Sequence, residues 1–298
     1  MRILVGTDDG LREVGLDGIE GPRSHAGRTV SALGAEYPGT WVILDGSEIW
    51  RVGDGSWARR GSLNGVRANC FADTRAGYLV GTSEAHLYTV EDDGVRLAEP
   101  FEQVKDRDRW YTPWGGPPDV RSLTEDFDVV MANVHVGGIV RTLDEGASWE
   151  PTIEIDADVH RVWARDGLVS AATAWGLAQS TDRGDTWQFR DEGLHASYCR
   201  AAAPCGEAVL VSASNGPRGG RSALYRGAKA AGPLERCREG LPEWFDDNID
   251  TYLVAASEDD DAVAFGMRDG RIFLSHDTGA TWDLVATDLP AVQCLSVP

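Results

Sequence analysis

The chain has 298 residues, including 35 glycines and 13 prolines, and its formal net charge is −20 at pH 7. Neutralising nucleic-acid phosphates requires a basic face, so this acidity excludes nucleic acid as a main partner. The sequence contains no run of about 18 apolar residues, so we expect no membrane span.

Short β-rich runs separated by turn residues follow one another along the chain, and no run of helical period is long enough to predict a helix. An all-β fold in a single domain, residues 1–298, is therefore expected. In chain order, the β-rich segments are 2–15, 29–60, 66–101, 120–154, 159–190, 198–238, 249–286 and 291–298.

Cysteine and lysine usage indicates the compartment. The five cysteines are odd in number and show no CxxC spacing, which favours reduced thiols in a cytoplasmic protein over a disulfide framework. Lysine occurs only at positions 105 and 229. An acidic, lysine-poor surface is typical of a salt-adapted cytoplasm or of a GC-rich genome, and the net charge favours the halophilic interpretation.

One motif occurs three times, with the spelling [Ser/Thr]-x-Asp-x-Gly-x-[Ser/Thr]-Trp. In each copy the aspartate can accept backbone N–H bonds within its own turn, the glycine can take positive φ, and the tryptophan can anchor the next strand. These roles are structural. The motif residues are Asp144, Gly146 and Trp149, then Asp182, Gly184 and Trp187, then Asp277, Gly279 and Trp282.

The motif resembles the Asp-box, or BNR, repeat of β-propellers such as sialidases, sortilin-type receptors and photosystem II assembly factors. The resemblance implies that each box lies at the outer turn between the third and fourth strands of a blade, away from the functional face. Residues 53–57 spell a degenerate box. The spacing of the intact boxes matches blades of about 40–50 residues.

The two chain ends complete each other. Residues 2–15 resemble a second and third strand, and the last β-rich segment, 291–298, supplies the missing first strand. Closure by the C-terminal strand removes the open edge of the ring. We therefore predict a seven-bladed β-propeller, with six blades as the alternative if residues 1–60 form one irregular blade.

Two long connections, 103–119 and 239–248, interrupt otherwise short loops. Both join the last strand of one blade to the first strand of the next, and functional residues are often carried by such loops. They contain Trp110, Tyr111, Trp114 and Trp244, and Trp175 is predicted on the same face. These aromatic rings can stack on a planar ligand or a sugar, although packing as lids over the ring is the favoured interpretation.

Three histidines, His135, His160 and His195, are predicted on this face in neighbouring blades. Together they are candidates for a catalytic site, either a proton relay or an open metal site. Their spacing matches no known ligand motif, so the favoured interpretation is that they bond backbone groups or line the channel. We expect no metal and no cofactor.

Arginines recur near the starts of the predicted first strands. Rings of arginine at a channel mouth hold carboxylates or phosphates, whereas the alternative is pairing with carboxylates between blades. The ligand-binding candidates are Arg67, Arg121, Arg161 and Arg200, together with Trp175, and Arg28 follows the same pattern.

These features predict a monomeric binding or assembly scaffold whose loop-rich face binds a protein or a small anionic or carbohydrate ligand. The alternative is a glycoside hydrolase or lyase, with a site at the channel mouth that also draws on His135, His160 and His195. A sialidase is disfavoured, because Arg2-Ile-Leu departs from the Arg-Ile-Pro signature and no spacing pairs the carboxylates Asp158, Glu243 and Asp250.

Overall fold

The computed structural model describes residues 2–36, 39–53, 55–257 and 262–297, and every strand in these ranges belongs to one of seven antiparallel sheets of four strands. Alternating apolar residues and frequent turn glycines favour such short strands. The predicted degenerate box has its Asp54 outside the described residues.

The first four blades account for the N-terminal half of the chain. Blade 1 contains β1 (Arg2–Thr7), β2 (Gly10–Gly15) and β3 (Glu20–Ser24); blade 2 contains β4 (Val30–Glu36), β5 (Gly39–Leu44), β6 (Glu48–Gly53) and β7 (Ser56–Ser62); blade 3 contains β8 (Ala68–Thr74), β9 (Gly77–Thr82), β10 (Leu87–Glu91) and β11 (Gly94–Leu97); blade 4 contains β12 (Val120–Asp126), β13 (Val129–Val134), β14 (Gly138–Thr142) and β15 (Glu150–Pro151).

The remaining strands form blades 5 to 7 and complete blade 1. Blade 5 contains β16 (Val159–Arg165), β17 (Leu168–Thr173), β18 (Gly176–Ser180) and β19 (Gln188–Arg190); blade 6 contains β20 (Tyr198–Cys205), β21 (Ala208–Ser214), β22 (Ala223–Ala228) and β23 (Glu235–Arg236); blade 7 contains β24 (Val254–Ala256), β25 (Val263–Gly266), β26 (Ile272–Ser275) and β27 (Asp283–Ala286); β28 (Val292–Ser296) joins blade 1.

The ring closes as predicted. Strand β28 pairs antiparallel with β1, with Leu4 opposite Ser296 and Gly6 opposite Cys294, so the C-terminal segment is the innermost strand of blade 1. The first strands of successive blades contact one another around the ring, including β24 with β28 and β28 with β4. The prediction of seven blades is confirmed, and the six-bladed alternative is excluded.

Helical structure in the described ranges consists of three short 3-10 helices, Glu99–Gln103, Arg107–Arg109 and Ile155–Ala157. Two of them lie in the long connection that precedes blade 4. None of the described helices is long and apolar enough to cross a membrane. All five cysteines are buried and unpaired, and burial raises the pKa of the Cys70 thiol to about 12.

The three box turns, which we define as residues 142–149, 180–187 and 275–282, lie between the third and fourth strands of blades 4, 5 and 7. They repeat one hydrogen-bond network. In blade 5, the Ser180 hydroxyl donates to Asp182 Oδ1 at 2.7 Å and accepts from the Gly184 N–H at 2.8 Å. Thr186 donates its N–H to Oδ1 at 2.9 Å and its hydroxyl to Oδ2 at 2.6 Å.

The other two box turns have the same contacts, with the aspartate–hydroxyl distances again 2.7 and 2.6 Å. Gly146, Gly184 and Gly279 have φ of 89°, 92° and 88°, so positive φ is required at each. In each of the three turns the aspartate accepts N–H and O–H hydrogen bonds and the glycine has positive φ.

Candidate functional site

The first strand of most blades contains a β-bulge near its start. In β12, for example, Val120 pairs with Val134 and Ser122 pairs with the adjacent Asn133, which leaves Arg121 without an opposite residue. Bulges re-aim a side chain and are common next to functional sites. The residues placed in this way are Ser31, Asn69, Arg121, His160, Arg200 and Gln293.

Five of these six residues line a single cavity of about 300 Å³, which we call the mouth pocket. Only His160 is not part of it. The lining side chains come from every blade except blade 5, so no local segment of sequence contains the pocket. Its residues are Ser31, Arg67, Asn69, Ser83, Asp119, Arg121, Arg200, Asp250, Thr251, Tyr252, Leu253, Arg268 and Gln293.

The floor of the mouth pocket is formed by the segment that leads into blade 7. The Thr251 hydroxyl donates to the carbonyls of His160 at 3.3 Å and Arg200 at 3.2 Å, and the Tyr252 hydroxyl donates to the carbonyl of Arg121. These bonds connect blade 7 with blades 4, 5 and 6. Tyr252 also lines a second cavity, which includes Arg161, so this segment lies between the two cavities.

Arginine supplies the positive charge of the mouth pocket, and carboxylates offset only part of it. Arg200 donates to Asp250 Oδ1 through Nε at 3.0 Å and Nη2 at 2.7 Å, and Arg268 Nη2 lies 3.5 Å from Asp250 Oδ2. Asp119 is the second acidic group. Four guanidinium groups and two carboxylates leave a net positive charge inside an acidic protein.

Arg121 differs from Arg200 and Arg268, because none of the described carboxylates lies within ion-pair distance of its guanidinium group. Burial lowers the pKa of Arg121, and the positive charge of nearby Arg200 lowers it further. A largely buried cation without an ionic partner is costly. An anion held between Arg121 and Arg200 would relieve both the burial and the repulsion.

The two carboxylates of the mouth pocket have opposite pKa shifts. Burial raises the pKa of Asp119, and Arg121 offsets this only in part. Burial also acts to raise the pKa of Asp250, but the charge and hydrogen bonds of Arg200 outweigh it and lower that pKa. A protonatable and a firmly ionised carboxylate therefore share one pocket.

Two other predicted arginines, Arg161 and Arg28, lie outside the mouth pocket. Arg161 follows the bulge by one residue, points into the channel below the floor, and donates to the carbonyls of Thr251 at 2.6 Å and Val254 at 2.7 Å. Burial lowers its pKa to about 10. Arg28 pairs with Asp45 at 2.6 Å and Glu48 at 2.9 Å, which matches the alternative of pairing with carboxylates.

Two of the three predicted histidines come together, and a carboxylate joins them. Asp158 Oδ1 lies 3.0 Å from His135 Nε2, and Asp158 Oδ2 lies 3.5 Å from His160 Nε2. Both rings are buried, their centroids are 5.5 Å apart, and the exposed Trp114 stacks on His135 at 5.2 Å. We call these three residues the His–Asp–His cluster.

The charges of the cluster follow from its burial. Desolvation lowers the pKa of His135 to about 4, and the Asp158 carboxylate offsets only part of this effect. Desolvation also lowers the pKa of His160. Burial acts to raise the pKa of Asp158, but the two histidines outweigh it and hold that pKa well below its usual range.

His195 and Trp175 lie apart from both arrangements. His195 Nδ1 bonds the Tyr225 hydroxyl at 2.7 Å, and its ring packs on Trp244 at 4.8 Å. Trp175 is exposed and packs against Phe189 at 5.5 Å. Of the long-loop aromatics, Trp110 is buried as a packing residue and Trp114 is exposed.

Sequence reasoning did not select several residues of these sites. It named Asp158 and Asp250 only as carboxylates without a partner, and it omitted Asp119, Asn69, Arg268 and Gln293. A detectable signal existed for some of them. In five inner strands the polar residue that follows the first apolar residue occupies the bulge position, as in Ala68-Asn-Cys70 and Val292-Gln-Cys294.

No family model matches the sequence, and no curated protein matches it. Solved structures do match. The WD40 β-propeller domain of Doa1 aligns with a TM-score of 0.64 at 13% identity, over 99% of this chain and 88% of that one. YCF48 bound to a D1 peptide aligns with a TM-score of 0.58 at 13% identity, over 93% of this chain and 92% of that one.

An ancestral GH74 enzyme aligns with a TM-score of 0.64 at 12% identity, over 95% of this chain but only 40% of that one. At these identities the likeness concerns the fold alone. The chain is a seven-bladed β-propeller, and its fold is similar to that of the WD40 domain of Doa1, YCF48 and part of a GH74 enzyme.

Proposed function

We propose that this protein is a binding scaffold that holds a carboxylate-bearing ligand in the mouth pocket. The observation that carries the proposal is Arg121, a largely buried guanidinium group without a carboxylate partner, beside Arg200. Charge-assisted bonds from paired guanidinium groups are well suited to carboxylates. The low identity to YCF48 carries no ligand over, but a propeller of similar extent that binds a peptide supports a peptide carboxylate as one source.

The test is a calorimetric titration of the full chain with two kinds of carboxylate. One arm uses citrate, and the other uses peptides with a free or an amidated C-terminus. We expect Arg121→Gln to weaken binding by about 10- to 100-fold, the usual loss for a charge-assisted bond of about 1.5–3 kcal/mol. Citrate binding alone indicates a small anion, and loss of peptide binding on amidation indicates a C-terminal carboxylate.

Arg28→Gln is the matched control. Arg28 lies just before the first strand of blade 2, but it is already paired with Asp45 and Glu48 and does not line the mouth pocket. It should bind like the unaltered chain. Equal binding by Arg121→Gln and Arg28→Gln, or no binding of either carboxylate by the unaltered chain, would contradict the proposal.

A second candidate function is hydrolysis or elimination at a glycosidic bond. Asp119 and Asp250 favour it, because one pocket holds a carboxyl group of raised pKa and one of lowered pKa, the usual division between acid and base. The test is turnover of aryl glycosides and of uronic-acid glycosides. Activity lost in Asp119→Asn supports this function, and inactivity of the unaltered chain on both substrate classes counts against it.

We further propose that the chain is an Asp-box propeller of the BNR type. The support is the repeated network of the box turns and their place between the third and fourth strands. Sequences of related chains provide the test. Retention of the box at these turns supports the assignment, and the same fold with unrelated turns opposes it.

A further inference from the structure

The His–Asp–His cluster has the dimensions of a coordination site. Asp158 lies between the two imidazoles, with O–N separations of 3.0 and 3.5 Å, and ligand atoms of the three residues lie within 4.8 Å of one another. Ligands bound at roughly 2.0–2.2 Å from one ion are about 3–3.5 Å apart at neighbouring positions. Only small side-chain movements are needed to place one ion at bonding distance from all three.

The hydrogen bond made by the His160 ring gives an independent reason to expect a ligand here. His160 Nδ1 lies 2.6 Å from the carbonyl oxygen of Cys199, so Nδ1 carries the proton and donates it. In the neutral ring, Nε2 is therefore an unprotonated acceptor. It is fully buried, has no hydrogen-bond partner, and points toward a carboxylate oxygen that is also an acceptor.

Two facing acceptors repel each other unless a proton or a cation lies between them. A cation satisfies both atoms, and the other carboxylate oxygen, Asp158 Oδ1, lies 3.0 Å from His135 Nε2, so His135 is within reach of the same ion. The bond from Nδ1 to Cys199 is the kind of outer contact that orients a metal-binding histidine.

We propose that His135, Asp158 and His160 bind one divalent transition-metal ion, with Zn²⁺ as the metal to test first. Two imidazoles and a carboxylate suit Zn²⁺, Fe²⁺ or Co²⁺, whereas Mg²⁺ and Ca²⁺ prefer oxygen ligands throughout. Three protein ligands leave at least one position for water or an exogenous ligand. Asp158 retains solvent access, so the ion has a route of entry.

The neighbouring charges set limits on the affinity. Arg121 and Arg200 act on the histidines of the cluster and oppose a second positive charge, while the Asp158 carboxylate favours it. Tyr198 packs on His160 at 4.8 Å and lies 3.3 Å from Arg200 through its hydroxyl, so it separates the ion from that guanidinium group. The metal site adjoins the mouth pocket but shares no ligand residue with it.

The experiment uses the full chain after removal of metals with a chelator. Zn²⁺ is titrated in competition with a chromogenic indicator, and Co²⁺ is added separately to record visible absorption from nitrogen and oxygen ligands. We expect one Zn²⁺ per chain with a sub-micromolar Kd. Asp158→Asn and His135→Gln should each weaken binding by at least about 100-fold and abolish the Co²⁺ spectrum.

His195→Gln is the matched control, because His195 is a partly buried histidine from an adjacent loop that bonds Tyr225 and not the cluster. It should bind Zn²⁺ like the unaltered chain. Asp158→Asn keeps the volume of the side chain, and circular dichroism melting verifies folding; should it unfold, His135→Gln provides the same comparison. Absence of stoichiometric Zn²⁺ binding, or undiminished binding by the folded variants, would overturn the proposal.

Discussion

In the box turns every bond of the shared network spans at most four residues of sequence, whereas the mouth pocket draws side chains from six of the seven blades. The box turns repeat one geometry three times. In the mouth pocket, structurally similar bulge positions hold serine, asparagine, arginine and glutamine. The repeated local network stabilises the fold, and the variable positions are available for binding, so the two regions should respond differently to substitution.

The largest expected effect is on the free energy of unfolding, and its size differs between two of the box tryptophans. Trp282 is 4% exposed, packs on Phe265 at 5.0 Å and donates Nε1–H to Gly279 O at 3.1 Å. Trp187 is only partly buried, and its Nε1 has no partner. We expect Trp282→Ala to lower the free energy of unfolding by about 3–5 kcal/mol and Trp187→Ala by less than half as much.

Urea unfolding of both variants at one salt concentration measures this difference. Equal losses would indicate that the box tryptophans act through the turn itself and not through burial against the neighbouring blade.

The next effect concerns the box glycines. A Cβ on Gly279, where φ is 88°, would lie 2.6 Å from Leu210 Cδ1, whereas on Gly146 the nearest atom, Ala76 Cβ, would be 3.2 Å away. Positive φ costs about 1–2 kcal/mol for alanine at either site. Overpacking against buried Leu210 adds about 1 kcal/mol or more in Gly279→Ala. The midpoint of thermal unfolding should therefore be lower for Gly279→Ala than for Gly146→Ala. The reverse order would refute the packing argument.

A smaller effect is expected from the box carboxylates, and it depends on pH. Hydrogen bonds from Thr186 and Ser180 lower the pKa of Asp182 to about 2. Because the folded-state pKa lies below the ordinary value of 3.8, the stability contributed by Asp182 is fully present above about pH 4 and is lost as the pH falls toward 2. Asp182→Asn should cost about 1 kcal/mol at pH 7, as for a lost capping side chain, and less at pH 2.

Acid titrations of unfolding free energy measure the Asp182→Asn difference at each pH. A loss of stability that remains constant from pH 7 to pH 2 would show that the charge of Asp182 is not involved.

The smallest expected change in stability is at the mouth. Arg121→Gln removes a largely buried charge that has no carboxylate partner, so without ligand the free energy of unfolding should stay within about 0.5 kcal/mol or rise. Chemical unfolding with and without citrate checks this. A loss of several kcal/mol without ligand would show that Arg121 stabilises the fold. The contrast between the box turns and the mouth pocket would then be weaker.

The fold was predictable in unusual detail because its signals are local or periodic. The box spacing gave the blade length, and the apolar pattern of residues 291–298 identified the closing strand, as the pairing of Gly6 with Cys294 confirms. The positions of the boxes between third and fourth strands also agree. The compartment, the oligomeric state and salt adaptation stay predictions.

The sites were predictable only in part. Arg67, Arg121 and Arg200 line the mouth pocket, and their role in ligand binding stays a prediction. Arg161 lies outside it, because a shift of one residue along a strand moves a side chain to the other face. His135 and His160 meet, but Asp158 occupies the place that the sequence analysis gave to His195.

The sequence by itself determined the blade repeat, the turn chemistry and the closure of the ring, because each depends on residues a few positions apart or on a pattern repeated along the chain. Only the tertiary structure decided which side chains share a pocket. Ring closure brings residues as distant as Ser31 and Gln293 into one cavity, and the bulge in six of the seven inner strands sets the direction of its side chain. The distances between blades are not encoded within any single segment.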